Sequence, residues 1–274
     1  MKDGTTGLFV TPNAAGKTRF DLFPVCAEGC KISVTVYDAE GNKVVSSTTD
    51  AKEHTIVTVD VKDAHLWDGV NDPYLYKAVA AIECNGEKLD EVTVPYGYRS
   101  FHVDVNTGFY LNGKSMPLRG VARHQDRINM GWAISEKEHE EDIEIIKEIG
   151  ANTLRLAHYQ HAQYFYDLCD QAGFILWAEI PLISGFRPGK DAYDNTMSQM
   201  RELVAQNYNH PSIVVWGLSN EVTSEGSDPR IDDNHKILND LCHEMDKTRL
   251  TTIAAVSMCK MDDPYLQIPD VVSY

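Results

Sequence analysis

Residues Ala151–Ile180 read A-N-T-L-R-L-A-H-Y-Q-H-A-Q-Y-F-Y-D-L-C-D-Q-A-G-F-I-L-W-A-E-I. Within this stretch Thr153–Leu156 predicts a short strand, Ala162–Ala172 a helix, and Phe174–Ile180 a second strand. Gly173 stands where the helix must stop. A strand, a helix and a strand in succession predict parallel pairing, because a crossover of this length brings the chain back in the same direction. Phe174–Ile180 is almost wholly apolar and does not alternate, as a strand covered on both faces requires.

The same rhythm extends both ways. Upstream, Met116–Val121 predicts a strand and Glu136–Ile149 a helix, with Ser135 and Glu138 as an S-x-x-E capping box and Gly150 past the end. Downstream come helix Thr196–Tyr208, strand Ile213–Leu218, helix Ile231–Met245, strand Leu250–Val256 and an apolar run at Val271–Tyr274. No G-x-G-x-x-G follows the first strand, which argues against a dinucleotide-binding sheet and for a (β/α) barrel. A closed barrel takes about eight strands. The run ends at Tyr274 inside what reads as the sixth, so an incomplete barrel, and hence a fragment, is expected.

Residues before about Phe101 keep a period of two instead. Ile32–Tyr37 and Thr55–Val61 alternate, and Leu75–Glu83 is a third strand candidate. Asp38–Asn42, Asn71–Pro73 and Asn85–Glu87 are turn signals, with Asn85-Gly86 a hairpin. The expected division is an antiparallel β-sandwich over residues 1–103 and the first part of a barrel over residues 104–274. The sandwich gathers no acids, bases or ligands and reads as a structural module.

Composition excludes more than it selects. The chain has 274 residues, 43% of them hydrophobic, enough for packed cores. A net charge of −16 opposes nucleic acid, whose phosphates would repel it. No apolar run reaches the roughly 20 residues that span a bilayer, and Met1–Gly7 lacks the apolar core of a signal peptide. A cytoplasmic location is the working expectation, and a homo-oligomer is compatible with the full-length protein. The cysteines at 26, 30, 84, 169, 242 and 259 are scattered and read mostly as buried free thiols, with a Cys26–Cys30 disulfide as the lesser alternative.

In barrels the chemistry sits at the carboxyl ends of the strands. There the first strand leads to Arg123, His124 and Asp126, the second to Arg155, His158 and Tyr159, the third to Glu179 and the fourth to Asn220-Glu221. Four successive strands place ionisable groups on one rim. Glu221 ends the apolar run I-V-V-W-G-L-S, so partial desolvation of its carboxyl is expected, which suits a group that holds and releases a proton near neutrality. The plain alternative is that Glu221 caps the next segment or pairs with an arginine.

These residues resemble glycoside hydrolase family 2. Asn207–Glu221, N-Y-N-H-P-S-I-V-V-W-G-L-S-N-E, is similar to the family's acid/base signature. Asn152–Trp177 is similar to its other signature, and Arg119–His124, R-G-V-A-R-H, to its first barrel strand. L-W-D-G…D-P-Y-L-Y and Y-G-Y-R-S-F resemble the immunoglobulin-like domain before the barrel. The resemblance implies an immunoglobulin-like sandwich followed by an incomplete (β/α)8 TIM barrel, and double displacement on terminal β-linked sugars. In that reading Glu221 is the acid/base, Asn220 binds the sugar, His124, His158 and Glu179 line the pocket, and Arg155 orders the rim.

It further implies a carbohydrate substrate, β-galactosides ahead of β-glucuronides and β-mannosides. The family's nucleophile is a Glu on the seventh strand, beyond Tyr274, so this stretch alone is expected to be inactive. Glu179 and Glu225 are poor substitutes for it. The loop Pro181–Gly185, P-L-I-S-G, lacks the acidic and histidine ligands of the magnesium-binding members, so no metal or other cofactor is expected. Thr6–Pro12 is the one candidate for a strand of the family's preceding sugar-binding sandwich. Two rivals remain, a metal hydrolase using His124, Asp126, His158 and Glu179, and a non-catalytic sugar-binding remnant.

Overall fold

The computed structural model describes residues 7–25, 28–186, 189–224, 228–260 and 262–273. The chain forms two compact units. The first is Met1–Leu118 with Asp167–Phe174 and Tyr208–Ser212; the second is Arg119–Tyr166, Ile175–Asn207 and Ile213–Tyr274.

The first unit is built on β1 (Leu8–Pro12), β2 (Lys17–Leu22), β3 (Cys30–Tyr37), β4 (Lys43–Asp50), β5 (Thr55–Asp60), β6 (Tyr76–Cys84) and β7 (Glu87–Tyr96). They form two antiparallel sheets, β1-β2-β5 and β4-β3-β6-β7. Alternation does the work: Ile32, Val34 and Val36 from β3 and Val57 and Val59 from β5 all enter one buried cluster with Phe20, Ala78, Val94 and Tyr96. Asn85 and Gly86 take φ of 53° and 82°, the left-handed pair that a tight hairpin needs between β6 and β7.

β2 and β4 are not evident from sequence. β4, K-V-V-S-S-T-T-D, has no buried residue, so it lacks the apolar alternation that marks its neighbours. Leu8–Pro12 pairs with β2 along its whole length and so belongs to this sandwich, not to a preceding one; Thr6 lies outside the described residues. The cysteine expectation also needs correction. Register places Cys30 opposite Cys84 on β3 and β6, with Cα atoms 4.3 Å apart, and the two form a disulfide. Cys169 and Cys242 are buried free thiols as expected, Cys259 is a half-buried one, and Cys26 is outside the described residues.

A small antiparallel sheet, β8 (Phe101–Asp104), β9 (Gly108–Leu111) and β10 (Lys114–Ser115), completes this part of the chain. Trp67 is fully buried and its indole Nε1–H donates to the Asp170 carbonyl at 2.9 Å. Gly173 has φ +78°, and a Cβ there would lie 2.2 Å from the Gly69 carbonyl oxygen, so no side chain fits. Its positive φ lets Phe174 N–H bond back to the Cys169 carbonyl, closing the helix end.

The second unit carries β11 (Gly120–Arg123), α1 (Glu136–Glu148), β12 (Thr153–Leu156), α2 (Gln163–Ala172, entering the first unit at Asp167), β13 (Ile175–Glu179), α3 (Lys190–Asn207), β14 (Ile213–Asn220), α4 (Pro229–Met245), β15 (Leu250–Ala254) and β16 (Val271–Ser273). The strands are parallel and lie side by side in chain order, the arrangement of a partial TIM barrel. Leu154, Leu156, Leu176, Ala178, Trp216 and Leu218 have no exposed surface, as strands covered on both faces require.

Boundaries shift where backbone chemistry overrides the apolar pattern. The first strand begins at Gly120 and not Met116, since Pro117 lacks an N–H for the ladder. α3 begins at Lys190, earlier than its first buried residue Thr196, because its opening turns hold no fully buried residue to extend the helical apolar pattern. At α1 the capping box forms, with Ser135 N–H donating to Glu138 Oε2 at 2.6 Å.

Candidate active site

Register brings the carboxyl ends of the barrel strands level. Arg123 on β11 pairs with Leu156 on β12, Glu179 on β13 with Gly217 on β14, and Asn220 with Ala254 on β15. Side chains next to one another in a strand face opposite ways, so the rim residues found in the sequence divide into two groups.

Arg123 belongs outside the pocket. Its guanidinium is 6% exposed and is held by Asp142 on α1 at 2.7 Å, by Nδ1 of His139 and His161 at 2.9 and 3.0 Å, and over the Phe165 ring at 3.8 Å. It ties β11 to the flanking helices. Asp126 is exposed and is not part of the hydrogen-bonded cluster described next.

Arg155, His158, Glu179 and Asn220 form one connected network. Glu179, the last residue of β13, has no exposed surface. Arg155 Nη2 donates to both its oxygens at 3.0 Å, Nε adds a bond to Oε2 at 3.1 Å, and His158 Nδ1 meets Oε1 at 2.6 Å. The 2.6 Å contact fixes a proton on Nδ1, so that nitrogen does not accept from Arg155, 3.2 Å away. Burial pushes the Glu179 carboxyl above its ordinary value, opposed by Arg155 and His158.

Arg155 also donates from Nη2 to Asn220 Oδ1 at 2.7 Å and stacks over Trp177 at 4.3 Å. Gly217 is required here: a Cβ would lie 2.4 Å from both Trp177 Nε1 and Glu179 Cβ. His124 is exposed and joins by ring contact, edge-on to His158 at 5.1 Å.

Asn220 and Glu221 are positioned by backbone bonds from the loop that follows β13 and from β15. Asn220 N–H donates to the Leu182 carbonyl at 2.8 Å, its own carbonyl accepts from Ser184 at 2.9 Å, and Glu221 N–H donates to Ala254 at 2.8 Å. Glu221 takes φ +52°, a left-handed conformation that a non-glycine residue adopts at a cost, and such strain concentrates at functional positions.

Its side chain is exposed, and its carboxylate makes no hydrogen bond or ion pair among the described residues. This corrects the expectation of a desolvated Glu221, since the fully buried carboxylate of the rim is Glu179, and the alternative that Glu221 pairs with an arginine finds no such pair among the described residues. Glu179 in turn has no surface to offer a sugar and can act on one only through Arg155 and His158. Glu225 lies outside the described residues.

One buried pair was missed. Ser219 hydroxyl donates to His235 Nε2 at 2.6 Å, while His235 Nδ1–H donates to the Ile231 carbonyl at 2.7 Å. Both side chains are fully buried, and Ser219 precedes the Asn220-Glu221 pair directly. His235 sits in α4 at helical spacing, where it reads only as an internal polar residue. Among the described residues, three carboxylate and imidazole side chains with ligand atoms within 4.8 Å of one another occur in the first unit, at Asp167, Asp170 and His210. There His210 Nδ1 meets Asp170 Oδ2 at 2.6 Å and the other Asp170 oxygen accepts from Ser212 N–H, so the group reads as an internal hydrogen-bonded tie.

Burial pushes the imidazoles of His235 and His161 down, to about 4 and about 3, with Arg123 adding to the effect on His161. In the unfolded chain each titrates near pH 6.5, so below that value the unfolded state binds more protons and stability falls. The expected loss is about 1.4 kcal/mol per pH unit for each histidine between pH 6.5 and about 4. Urea unfolding at pH 7.5, 6 and 5 measures it; His235→Asn should flatten the slope by close to one proton.

Comparison with known proteins agrees with the fold of both units. Residues 103–269 match the family profile described as glycosyl hydrolases family 2, TIM barrel domain, and residues 27–99 match glycosyl hydrolases family 2. A β-glucuronidase of Bacteroides fragilis is 43% identical over 202 residues, 71% of this chain and 29% of that protein. A β-galactosidase of Bacteroides ovatus is 33% identical over 218 residues, 75% of this chain and 25% of that protein.

Among solved structures, an FMN-binding β-glucuronidase from Facaelibacterium prausnitzii L2-6 superposes with a TM-score of 0.94 at 44% identity, covering 99% of this chain and 43% of that one. A β-galactosidase structure from Bacteroides fragilis, described as putative, gives 0.88 at 33% identity, covering 98% and 42%. The chain therefore spans under half the length of the relatives it matches. With both halves matched in order, and the rim residues held on successive strand ends, the chain belongs to glycosyl hydrolase family 2.

Proposed function

We propose that the protein carrying these residues is a retaining β-glycosidase in which Glu221 is the general acid/base. The observation that carries this reading is the linked rim, where Asn220 beside Glu221 is tied through Arg155 to Glu179 and His158 on the neighbouring strand ends. In the proposal a terminal sugar sits against Asn220, His158 and His124. Asn220 Oδ1 is held by Arg155, which turns the amide nitrogen toward the sugar as a donor. His158, with its proton on Nδ1, presents Nε2 as an acceptor for a sugar hydroxyl.

Glu221 then protonates the departing oxygen, and afterwards removes a proton from the water that releases the sugar. Retention needs a second carboxylate about 5–5.5 Å from the first. Glu179 is a poor candidate, because it is fully buried and both oxygens are engaged. The attacking carboxylate is therefore assigned to a residue other than Glu179. A two-domain division near residue 103 belongs to the same proposal.

On substrate, β-galactosides are not favoured over β-glucuronides: relatives of both names match, and the glucuronidases at 43% and 44% identity support testing glucuronides first. The experiment is hydrolysis of an aryl β-glucuronide and an aryl β-galactoside by the full-length protein, followed by proton NMR of the first sugar released. Turnover with the β-anomer appearing first is expected. The α-anomer first, or no turnover of any β-glycoside, overturns the reading.

A further inference from the structure

The loop that leaves β11 is built as a rigid arm. Arg127 N–H donates to the Gly131 carbonyl at 3.1 Å and Gly131 N–H returns to Arg127 at 2.9 Å, with Asn129 and Gly131 in left-handed conformations at φ 66° and 57°. The Arg127 guanidinium clamps this turn onto α1, reaching Asp142 at 2.6 Å, Glu141 at 2.5 Å and the Glu138 carbonyl at 2.8 Å. A turn fastened this firmly nevertheless presents apolar side chains outward: Ile128 is 90% exposed and Trp132 64%.

Trp132 does not stand alone. Its indole packs on Tyr159, centroids 4.6 Å apart at 31°, and the Tyr159 hydroxyl accepts from Gln125 N–H at 2.9 Å, which fixes that ring in turn. Tyr159 lies 6.0 Å from His124, and His124 meets His158 at 5.1 Å. An unbroken aromatic wall thus runs from the buried Glu179 end of the rim to an open indole. The deep end is closed by the hydrogen-bonded network, so a sugar seated there can send the rest of its molecule only outward.

We infer that Trp132, backed by Tyr159, is a stacking platform for a ring-shaped leaving group, either an aryl group or a second pyranose. A flat CH or π face is what an exposed indole recognises. The inference rests on the glycosidase reading, and its test separates the two.

In the full-length protein, kcat/KM is measured for an aryl β-glycoside, a β-linked disaccharide and the methyl β-glycoside of the same sugar. Trp132→Ala is expected to lower the ring-to-methyl ratio about tenfold, the scale of one good ring contact, and Trp132→Phe to keep most of it. A fall in the aryl ratio alone, or in the disaccharide ratio alone, identifies which ring is held. An equal loss on all three substrates, or no change, overturns the platform.

If the unaltered protein turns over none of them, the glycosidase reading fails by itself. Iodide quenching of tryptophan fluorescence then decides the platform: the aryl glycoside should shield a quenchable indole that Trp132→Phe removes. Quenching unaffected by the aryl glycoside overturns it.

Discussion

Glu221→Gln is expected to cut turnover of β-glycosides with poor leaving groups by about 10³-fold, within the roughly 10²–10⁴ range of a positioned acid/base. Stability should hardly move, because the side chain is exposed and its carboxylate has no partner among the described residues. Glutamine keeps the size and accepts the same left-handed backbone. The loss should be smaller for a dinitrophenyl glycoside, whose leaving oxygen needs no proton, and added azide should restore turnover by replacing the activated water. Circular dichroism and a urea midpoint matching the unaltered protein make the kinetics interpretable. Undiminished hydrolysis of a methyl glycoside by this variant would remove Glu221 from the mechanism.

Arg155→Met is the second large effect, and it is one of stability as well as activity. It strands the Glu179 carboxylate in the interior, and breaking a buried ion pair costs about 3–5 kcal/mol. It also frees Asn220 Oδ1 from its 2.7 Å bond, so the amide loses its orientation toward the sugar. Adding Glu179→Gln to Arg155→Met should recover part of the stability, since a neutral amide needs no counter-ion, but not the activity. Urea unfolding of the single and double variants gives the comparison. A double variant no more stable than Arg155→Met would mean that Glu179 is not held as a charge by Arg155.

Some of this site was visible in one dimension because local chemistry places it. A strand end is readable from the apolar run before it, so Glu179 and Asn220-Glu221 could be put on one rim from I-L-W-A-E and I-V-V-W-G-L-S-N-E. Arg123 and His124 could not be sorted the same way. Both stand at the end of the same strand, and only its orientation against α1 shows that Arg123 bonds Asp142 and His139 while His124 turns to His158. His235 gave no signal at all, since a histidine on the inner stripe of a helix looks the same whether or not a serine hydroxyl meets it.

Sequence alone determined the β-sandwich and the alternating strands and helices, because both follow from periods of two and 3.6 residues and from turn and cap residues close in the chain. It also determined which residues stand at the strand ends. Tertiary structure alone decided that Cys30 joins Cys84, that Glu179 is the buried carboxylate and Glu221 the exposed one, and that Arg155 ties Glu179 to Asn220. Those outcomes depend on register between strands far apart in sequence and on what covers each strand end, and neither leaves a mark in local periodicity.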